Sequence, residues 1–258
     1  MADPGVEVVR PSLGLILRSL LRADFTVLLR SSRTLLLNIA VPIFILVVTS
    51  LSPGDTSLLT LGFEVGLALT FGLISSSLIG YSLTVARDRE AGVLQRLRVT
   101  PAPTWTIMVS RLLVQLVADL ALTVVVIVVF SIMHGVTYTI GQYLLVVAVS
   151  LLGGAVFLSI GQMVVALVRS AATVNAVGRL LYIVLILLGL LGVSGLLGST
   201  VQTVAQWSPT GAVIELYTVA LSLTGWSGAD THALIACIGY VAICSFIGIR
   251  WFHWDAHG

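Results

Sequence analysis

The sequence predicts an all-α protein that crosses a membrane six times, and three observations support this prediction. The 258-residue chain is 58% hydrophobic and only 9% charged, with a mean hydropathy of +1.11, whereas soluble domains carry about 25% charged residues. Several apolar stretches reach the roughly 20 residues that a helix needs to cross the hydrocarbon layer. All thirteen basic residues are arginines, and with six spans every arginine lies at or near one side of the membrane.

The first predicted element is an amphipathic helix in residues 12–33. At about 100° per residue, one sector of this helix holds its arginines, Arg18, Arg22, Arg30 and Arg33. The pattern is typical of a helix that lies in the membrane interface with arginines toward anionic headgroups. A cytosolic amphipathic helix would also show it, but a span follows at once, which favours the interface. Residues 1–33 are therefore interpreted as a cytoplasmic N-terminus with this helix, and residues 34–258 as the membrane domain.

The apolar stretches predict six spans, at about residues 34–51, 58–86, 104–132, 141–168, 178–197 and 231–250. Residues 198–229 are too polar and too broken for a plain span. Pro209 interrupts them, Glu215 follows it, and Trp207 and Trp226 resemble interface anchors. This segment is predicted to form two short helices that dip into the outer leaflet.

The distribution of arginine fixes the predicted orientation. The loops at residues 52–57 and 133–140 and the segment 198–229 contain none. Cytoplasmic loops are enriched in arginine, so both termini and the loop after the second span are expected in the cytoplasm. No cleavable signal peptide is expected at the N-terminus, and the exclusive use of arginine suggests a bacterial protein of the plasma membrane.

A charged block, RDREAGVLQRLRVTPAP, lies between the second and third spans at residues 87–103. Three interpretations compete: a solvated loop that only fixes topology, a basic patch for lipid headgroups, and a docking element for a cytoplasmic partner. The block mixes both signs of charge, and a short helix here would show an apolar side with Val93, Leu94 and Leu97. These features favour the docking element.

At these residues the sequence resembles the permease subunits of type-2 ABC exporters, a family that includes bacterial drug-efflux permeases. The similar features are an acidic-Arg-Glu triplet, a glycine, an Arg-Leu pair and a Thr-Pro pair: Asp88-Arg89-Glu90, Gly92, Arg96-Leu97 and Thr100-Pro101. The segment WSPTGAVIELYTVALSLTGW and the ending RWFHWD are also similar to the family. The chain departs from the family pattern at Gln95, where an acid is common, and at Ser110-Arg111, where Gly-Lys is common.

The resemblance implies that residues 87–100 contain a coupling helix, which would dock in a cleft of a separate ATP-binding cassette subunit. The candidate contacts are Arg87, Asp88, Arg89, Glu90, Leu94, Arg96, Leu97 and Arg98. It further implies a second permease subunit, either the same chain or a homologue, an outer re-entrant segment in residues 198–229, and an amphipathic substrate such as a drug, a lipid or a glycolipid. Membrane lipids are expected partners, and nucleic acid is not.

The chain itself is not expected to hydrolyse ATP. A phosphate-binding P-loop needs a lysine, and the sequence contains no lysine. MgATP would therefore be bound by the partner subunit, and no cofactor is expected on this chain. Neither a catalytic motif nor a metal-binding cluster of His, Cys and Asp is visible in the sequence.

Ionisable residues inside the membrane are candidates for function or pairing. Asp119 lies eight residues after Arg111, about 12 Å deeper at 1.5 Å per residue, and Arg179 could reach a similar depth. We expect Asp119 to pair with Arg179 or Arg111; the alternative is a set of polar neighbours or water. A secondary transporter that uses Asp119 and Glu215 for proton coupling is the main rival function, and a membrane scaffold without transport is another.

Overall fold

The computed structural model describes residues 13–30, 32–50, 58–93, 96, 104–192, 199–222 and 225–252. The α-helices are α1 (Leu13–Arg30), α2 (Ser32–Ser50), α3 (Leu58–Leu73), α4 (Ser82–Glu90), α5 (Thr104–His134), α6 (Ile140–Leu167), α7 (Ala171–Leu187), α8 (Ser199–Trp207), α9 (Pro209–Ser222) and α10 (Gly228–Arg250). Two π-helical stretches, Ile74–Tyr81 and Leu188–Gly192, follow α3 and α7. No strand occurs among the residues described, so the all-α prediction is confirmed.

Five helices in the described ranges are long and apolar enough to cross a membrane: Leu61–Glu90, Trp105–His134, Ile140–Leu167, Ala171–Leu190 and Gly228–Arg250. They coincide with the second to sixth predicted spans. The predicted first span coincides with α2, whose described apolar part is the shorter stretch Ile39–Thr49.

The fifth predicted span begins earlier than the sequence suggests, at Ala171 rather than near residue 178. The polar residues after Arg169 resemble a connector in the sequence, but they form the first turns of this helix. The Ser170 side chain caps the helix by accepting a hydrogen bond from the Thr173 amide. Serine is among the strongest N-cap residues, so the helix starts directly after it.

The second span lies at the centre of the subunit. In its most apolar 18-residue stretch, 78% is buried inside the protein, whereas the corresponding share for the span Ala171–Leu190 is 22%. Glycines let α9 pack closely against α3. A Cβ atom on Gly62 would lie 3.1 Å from the Thr218 carbonyl oxygen, and one on Gly66 would lie 3.0 Å from the Tyr217 Cβ. Small residues are the usual means of close helix packing in a membrane.

The π-helical stretch Ile74–Tyr81 interrupts this central span at mid-depth. It contains the three serines of the sequence ISSSLIGY, and α6 packs against its backbone. A Cβ on Gly161 would lie 3.1 Å from the Ser77 carbonyl oxygen. Short π-helical stretches are often found at functional sites, and this one brings two of its serines to a buried carboxyl group that is described below.

The segment before the last span forms the two short helices that were expected, α8 and α9, with a sharp turn at Ser208. The Ser208 hydroxyl donates to the Ala205 carbonyl at 2.6 Å and accepts from the Gly211 amide at 3.1 Å. Pro209 occupies the first position of α9, where its missing N–H costs nothing. Gly211 has no room for a side chain, because a Cβ there would lie 2.0 Å from the Ala205 carbonyl oxygen.

Candidate functional site

The charged block starts within the last turn of α4, which ends at a left-handed glycine. Gly92 has a φ of 69°, and its amide donates to the Arg89 carbonyl at 3.1 Å. A glycine in this conformation commonly ends a helix. The helix end therefore holds Asp88, Arg89 and Glu90 in a rigid turn before the chain leaves it.

Arg89 is buried within the subunit, with only 1% of its surface exposed. One guanidinium nitrogen, Nη1, donates to the Val165 carbonyl at 2.8 Å, and the other, Nη2, donates to the carbonyls of Val168 and Arg169 at 2.7 and 2.6 Å. The Val165 carbonyl lies in the last turn of α6, where helix carbonyls lack partners within the helix, and the Val168 and Arg169 carbonyls follow directly after it. The predicted contact of Arg89 with a partner would need an exposed side chain, so Arg89 is instead an internal contact.

Glu90 holds the beginning of the next helix. Its Oε1 atom accepts a hydrogen bond from the Ala171 amide at 2.6 Å, and Ala171 is the first residue of α7. Arg89 and Glu90 are adjacent in the chain and bind the two ends of the connector Val168–Ser170. Each charge has the sign that its helix end favours, since a cation suits a C-terminus and an anion an N-terminus.

Asp88 binds a third helix, α5. Its Oδ2 atom lies 2.7 Å from Nη1 of Arg111. The preceding residue, Ser110, donates a hydrogen bond to Asp24 of α1 at 2.5 Å. Burial raises the pKa of the Asp24 carboxyl, although the Ser110 hydrogen bond and the charge of Arg111 oppose this. The amphipathic helix is thus attached to α5 directly beside the Asp88–Arg111 pair.

The remaining predicted contacts of the block differ in their accessibility. Arg87 and Arg96 are exposed, and the Arg96 amide donates to the Gly92 carbonyl at 3.2 Å. Leu94, Leu97 and Arg98 lie outside the described residues. Exposed arginines therefore lie on both sides of the triplet Asp88-Arg89-Glu90, of which only Arg89 is buried.

A second polar cluster lies inside the membrane domain around Asp119, which is 1% exposed. Ser77 donates to its Oδ2 atom, and Gln115 donates to its Oδ1 atom at 3.1 Å. The Gln115 amide also donates to the Ser76 hydroxyl at 2.6 Å. The carboxyl group is thus bound by neutral groups, and the π-helical stretch supplies both serines of this cluster.

The polar contacts continue from Asp119 to α9. Thr123 donates to the Asp119 carbonyl at 2.9 Å and to the Ser150 hydroxyl at 3.0 Å. Ser150 in turn lies 2.8 Å from the Tyr217 hydroxyl. We call the set Ser76, Ser77, Gln115, Asp119, Thr123, Ser150 and Tyr217 the polar seam. It joins the second, third and fourth spans to α9 with hydrogen bonds, all within a region of apolar packing.

The predicted ion pair of Asp119 does not form in this structure. Arg111 pairs with Asp88, while Arg179 is exposed and donates to the Asn175 side chain at 3.2 Å. The alternative, a set of polar neighbours, describes Asp119 instead. Arg111 lies near the N-terminal end of α5, and Arg179 lies at the middle of α7.

The segment that forms α8 and α9 brings its predicted residues together only in part. The Trp207 ring stacks on His232 with centroids 5.4 Å apart, and the Trp207 carbonyl accepts from the Tyr240 hydroxyl at 3.1 Å. Glu215 lines the same small cleft as Trp207 and His232, whereas Pro209 is buried at the turn. These contacts fasten α8 to the last span.

The polar seam has a signal in the sequence beyond the charge of Asp119. Arg111, Gln115, Asp119 and Thr123 follow each other at intervals of four residues, so they lie along one face of α5. That spacing indicates a polar stripe inside the protein. It does not reveal the partners Ser150 and Tyr217, which come from other helices.

The comparisons with known proteins point to one family. The sequence profile described as ABC-2 type transporter matches residues 16–221, from α1 into α9. A search of the curated proteins found no match.

Proposed function

This chain belongs to the ABC-2 type transporter family, and we propose that it is the permease subunit of an ATP-driven exporter. The family and the five membrane-length helices make it a multi-pass membrane protein that takes part in transport. ABC-2 permease domains work with ATP-binding subunits, which hydrolyse ATP. The match over residues 16–221 carries this proposal.

In the proposed arrangement, α2 and the five longer helices cross the plasma membrane, with both termini in the cytoplasm. The absence of arginine from residues 52–57, 133–140 and 198–229 supports this orientation. The α8–α9 hairpin then lies at the outer side as a re-entrant segment. A second permease subunit, identical or homologous, would complete the pathway.

We further propose that the ATP-binding subunits dock on the outer surface of the block, through Arg87, Arg96 and the apolar and basic residues that follow Gly92. Both arginines are exposed, and charged contacts at such an interface contribute specificity more than affinity. MgATP would bind to the partner, since this chain has no lysine for a P-loop.

The proposed substrate is amphipathic, for example a drug, a lipid or a glycolipid. An open cavity of about 350 Å³ lies between α6, α9 and α10. Its walls are apolar and include Leu145, Leu152, Leu216 and Leu234. Such a cavity suits an acyl chain or an apolar ring system.

The test is co-purification of the tagged chain with the products of its neighbouring genes, followed by measurement of MgATP hydrolysis. We expect a P-loop subunit to co-elute with the wild-type chain. The double variant Arg87→Ala/Arg96→Ala should lose most of this subunit, whereas Arg250→Ala, at the end of α10, should retain it. A wild-type chain that elutes alone, without ATPase activity under any co-expression, would contradict the proposal.

A further inference from the structure

The connector Val168–Ser170 joins two long spans on the same side as the charged block. One helix ends there with carbonyl groups that have no partner within the helix, and the other begins there with amides that have none. The carbonyls of Val165, Val168 and Arg169 are bound by Arg89, and the Ala171 amide is bound by Glu90. The block therefore contacts this connector through direct hydrogen bonds rather than through packing alone.

The block has an inner and an outer surface. Arg89 faces inward and is 1% exposed, and Glu90 reaches the start of α7. Arg87, two residues before Arg89, is exposed. A partner that moves the outer surface would thus also move the residues that hold the connector.

The inner contacts offer a second route into the membrane beside the block's own helix. Along the chain, α4 continues through the π-helical stretch Ile74–Tyr81 into α3. Arg89 and Glu90, in contrast, bond directly to the end of α6 and the start of α7. The Asp88–Arg111 pair adds a contact to α5.

We infer that Arg89 and Glu90 are positioning residues that transmit movement of the charged block to the connector Val168–Ser170, and so to α6 and α7 together. Arg89 binds one carbonyl in the last turn of α6 and two in the connector, and Glu90 binds the first amide of α7. This inference rests on the proposed function, because the movement comes from an ATP-binding subunit docked on the block.

The experiment is hydrogen–deuterium exchange on the complete complex in lipid nanodiscs, without nucleotide and with MgATP plus vanadate. In the wild type, we expect nucleotide to change deuterium uptake in residues 87–93 and in residues 163–175. In Arg89→Gln, the change in residues 87–93 should remain, and the change in residues 163–175 should be lost. Arg89→Lys keeps three N–H donors and should retain part of it.

Three further variants distinguish a role in transmission from a role in stability alone. Arg169→Gln removes an exposed arginine from the connector but keeps the backbone carbonyl that Arg89 binds, so this variant should behave as the wild type. Glu90→Gln keeps an oxygen acceptor for the Ala171 amide and should also behave as the wild type, whereas Glu90→Ala should reduce the response near residue 171. A merely structural role for Arg89 would raise uptake in residues 163–175 equally in both nucleotide states and leave their difference unchanged.

The outcomes distinguish this inference from the function on which it rests. A nucleotide response in residues 163–175 that survives at full size in Arg89→Gln would overturn the transmission role alone. A wild-type complex with no nucleotide response anywhere in this chain would count against the proposed function as well. If Arg89→Gln does not assemble, Arg89→Lys and Glu90→Ala provide the same comparison.

Discussion

The charged block and the polar seam solve the same physical problem in different ways. Both join neighbouring helices through polar groups, and Arg89 and Asp119 are buried, whereas Glu90 is exposed. The block uses full charges, Arg89 and Glu90, and their partners are backbone groups at helix ends. The seam uses one acid, Asp119, and its side-chain partners are neutral.

The difference follows from depth in the membrane. At the ends of spans, helix termini carry partial charges that stabilise an opposite charge, and water is close. Near the centre of a span, a charged residue costs roughly 2.5–3.5 kcal/mol on insertion scales, and hydroxyl and amide groups are the less costly means of joining helices. The comparison therefore predicts that the charge of Arg89 is essential in the block, whereas the charge of Asp119 is dispensable in the seam.

Arg89→Ala should have the largest effect of any single substitution in these two regions. It removes a charged donor from three carbonyl groups, and hydrogen bonds to charged groups contribute about 1.5–3 kcal/mol each. We expect the free energy of unfolding in mixed micelles to fall by about 3 kcal/mol or more. The control is Arg169→Ala, which should change it by less than about 0.5 kcal/mol; equal effects of the two variants would refute a special role for the buried guanidinium.

Two substitutions of Asp119 should have different effects. Asp119→Asn keeps one oxygen to accept from Gln115 and gains a donor for the Ser77 hydroxyl, so stability should change by less than about 1 kcal/mol. Asp119→Leu leaves both partners without an acceptor and should cost about 2 kcal/mol. Thermal unfolding of the purified chain measures both. If the two variants lose equal stability, the negative charge matters, and the seam is not a neutral network.

Tyr217→Phe should have a smaller effect. It removes one hydroxyl from the end of the seam, while Ser150 keeps its hydrogen bonds to Thr123 and to the Val146 carbonyl. A single neutral hydrogen bond contributes about 1 kcal/mol, so we expect a loss of that size in the same unfolding assay. Tyr143, which is exposed, provides the matched control, and Tyr143→Phe should be neutral. No loss in Tyr217→Phe would mean that packing alone holds α9 to the spans.

Asp24→Asn should have the smallest effect and the opposite sign. Burial raises the pKa of Asp24 above its ordinary value of 3.8, so the folded chain favours the protonated form. The wild type therefore loses stability as pH rises from below that ordinary value through the raised pKa. Asparagine removes this loss, and we expect a gain below about 0.5 kcal/mol at neutral pH.

The pH dependence of the stability difference between Asp24→Asn and the wild type checks the sign of this effect. As pH falls through the raised pKa of Asp24 toward its ordinary value, the wild-type carboxyl binds its proton and the gain from asparagine should shrink. The groups that face Asp24 are Ser110, Arg111 and Asp88. If the wild type is instead more stable than Asp24→Asn at neutral pH, the Arg111 charge outweighs burial.

The spans are predictable from the sequence because membrane crossing imposes a length. The fourth is expected at residues 141–168 and is Ile140–Leu167, and the third is expected at 104–132 and is Thr104–His134. The start of the fifth is not predicted correctly, because Thr173 and Asn175 resemble loop residues. Only the Ser170 cap shows that the helix has already begun.

The sequence identifies the candidate residues more readily than it identifies the groups that they bind. Asp119 and Arg89 stand out from the sequence because charge is rare in so apolar a chain. The partners of Arg89 are backbone carbonyls, which no side-chain pattern can reveal. The partners of Asp119 depend on the rotation of the second span, which the π-helical stretch at Ile74–Tyr81 alters, so a wholly α-helical projection would misplace Ser76 and Ser77.

The turn at Ser208 has a consequence for how this protein can vary. Position 211 admits only a hydrogen atom, since any Cβ would lie 2.0 Å from a backbone oxygen of the preceding helix. In a library that substitutes every residue of the α8–α9 hairpin, we expect position 211 to accept no replacement at all. The neighbouring exposed positions, Gln206 among them, should accept many, so a single intolerant site would mark the geometry of the turn in sequence data alone.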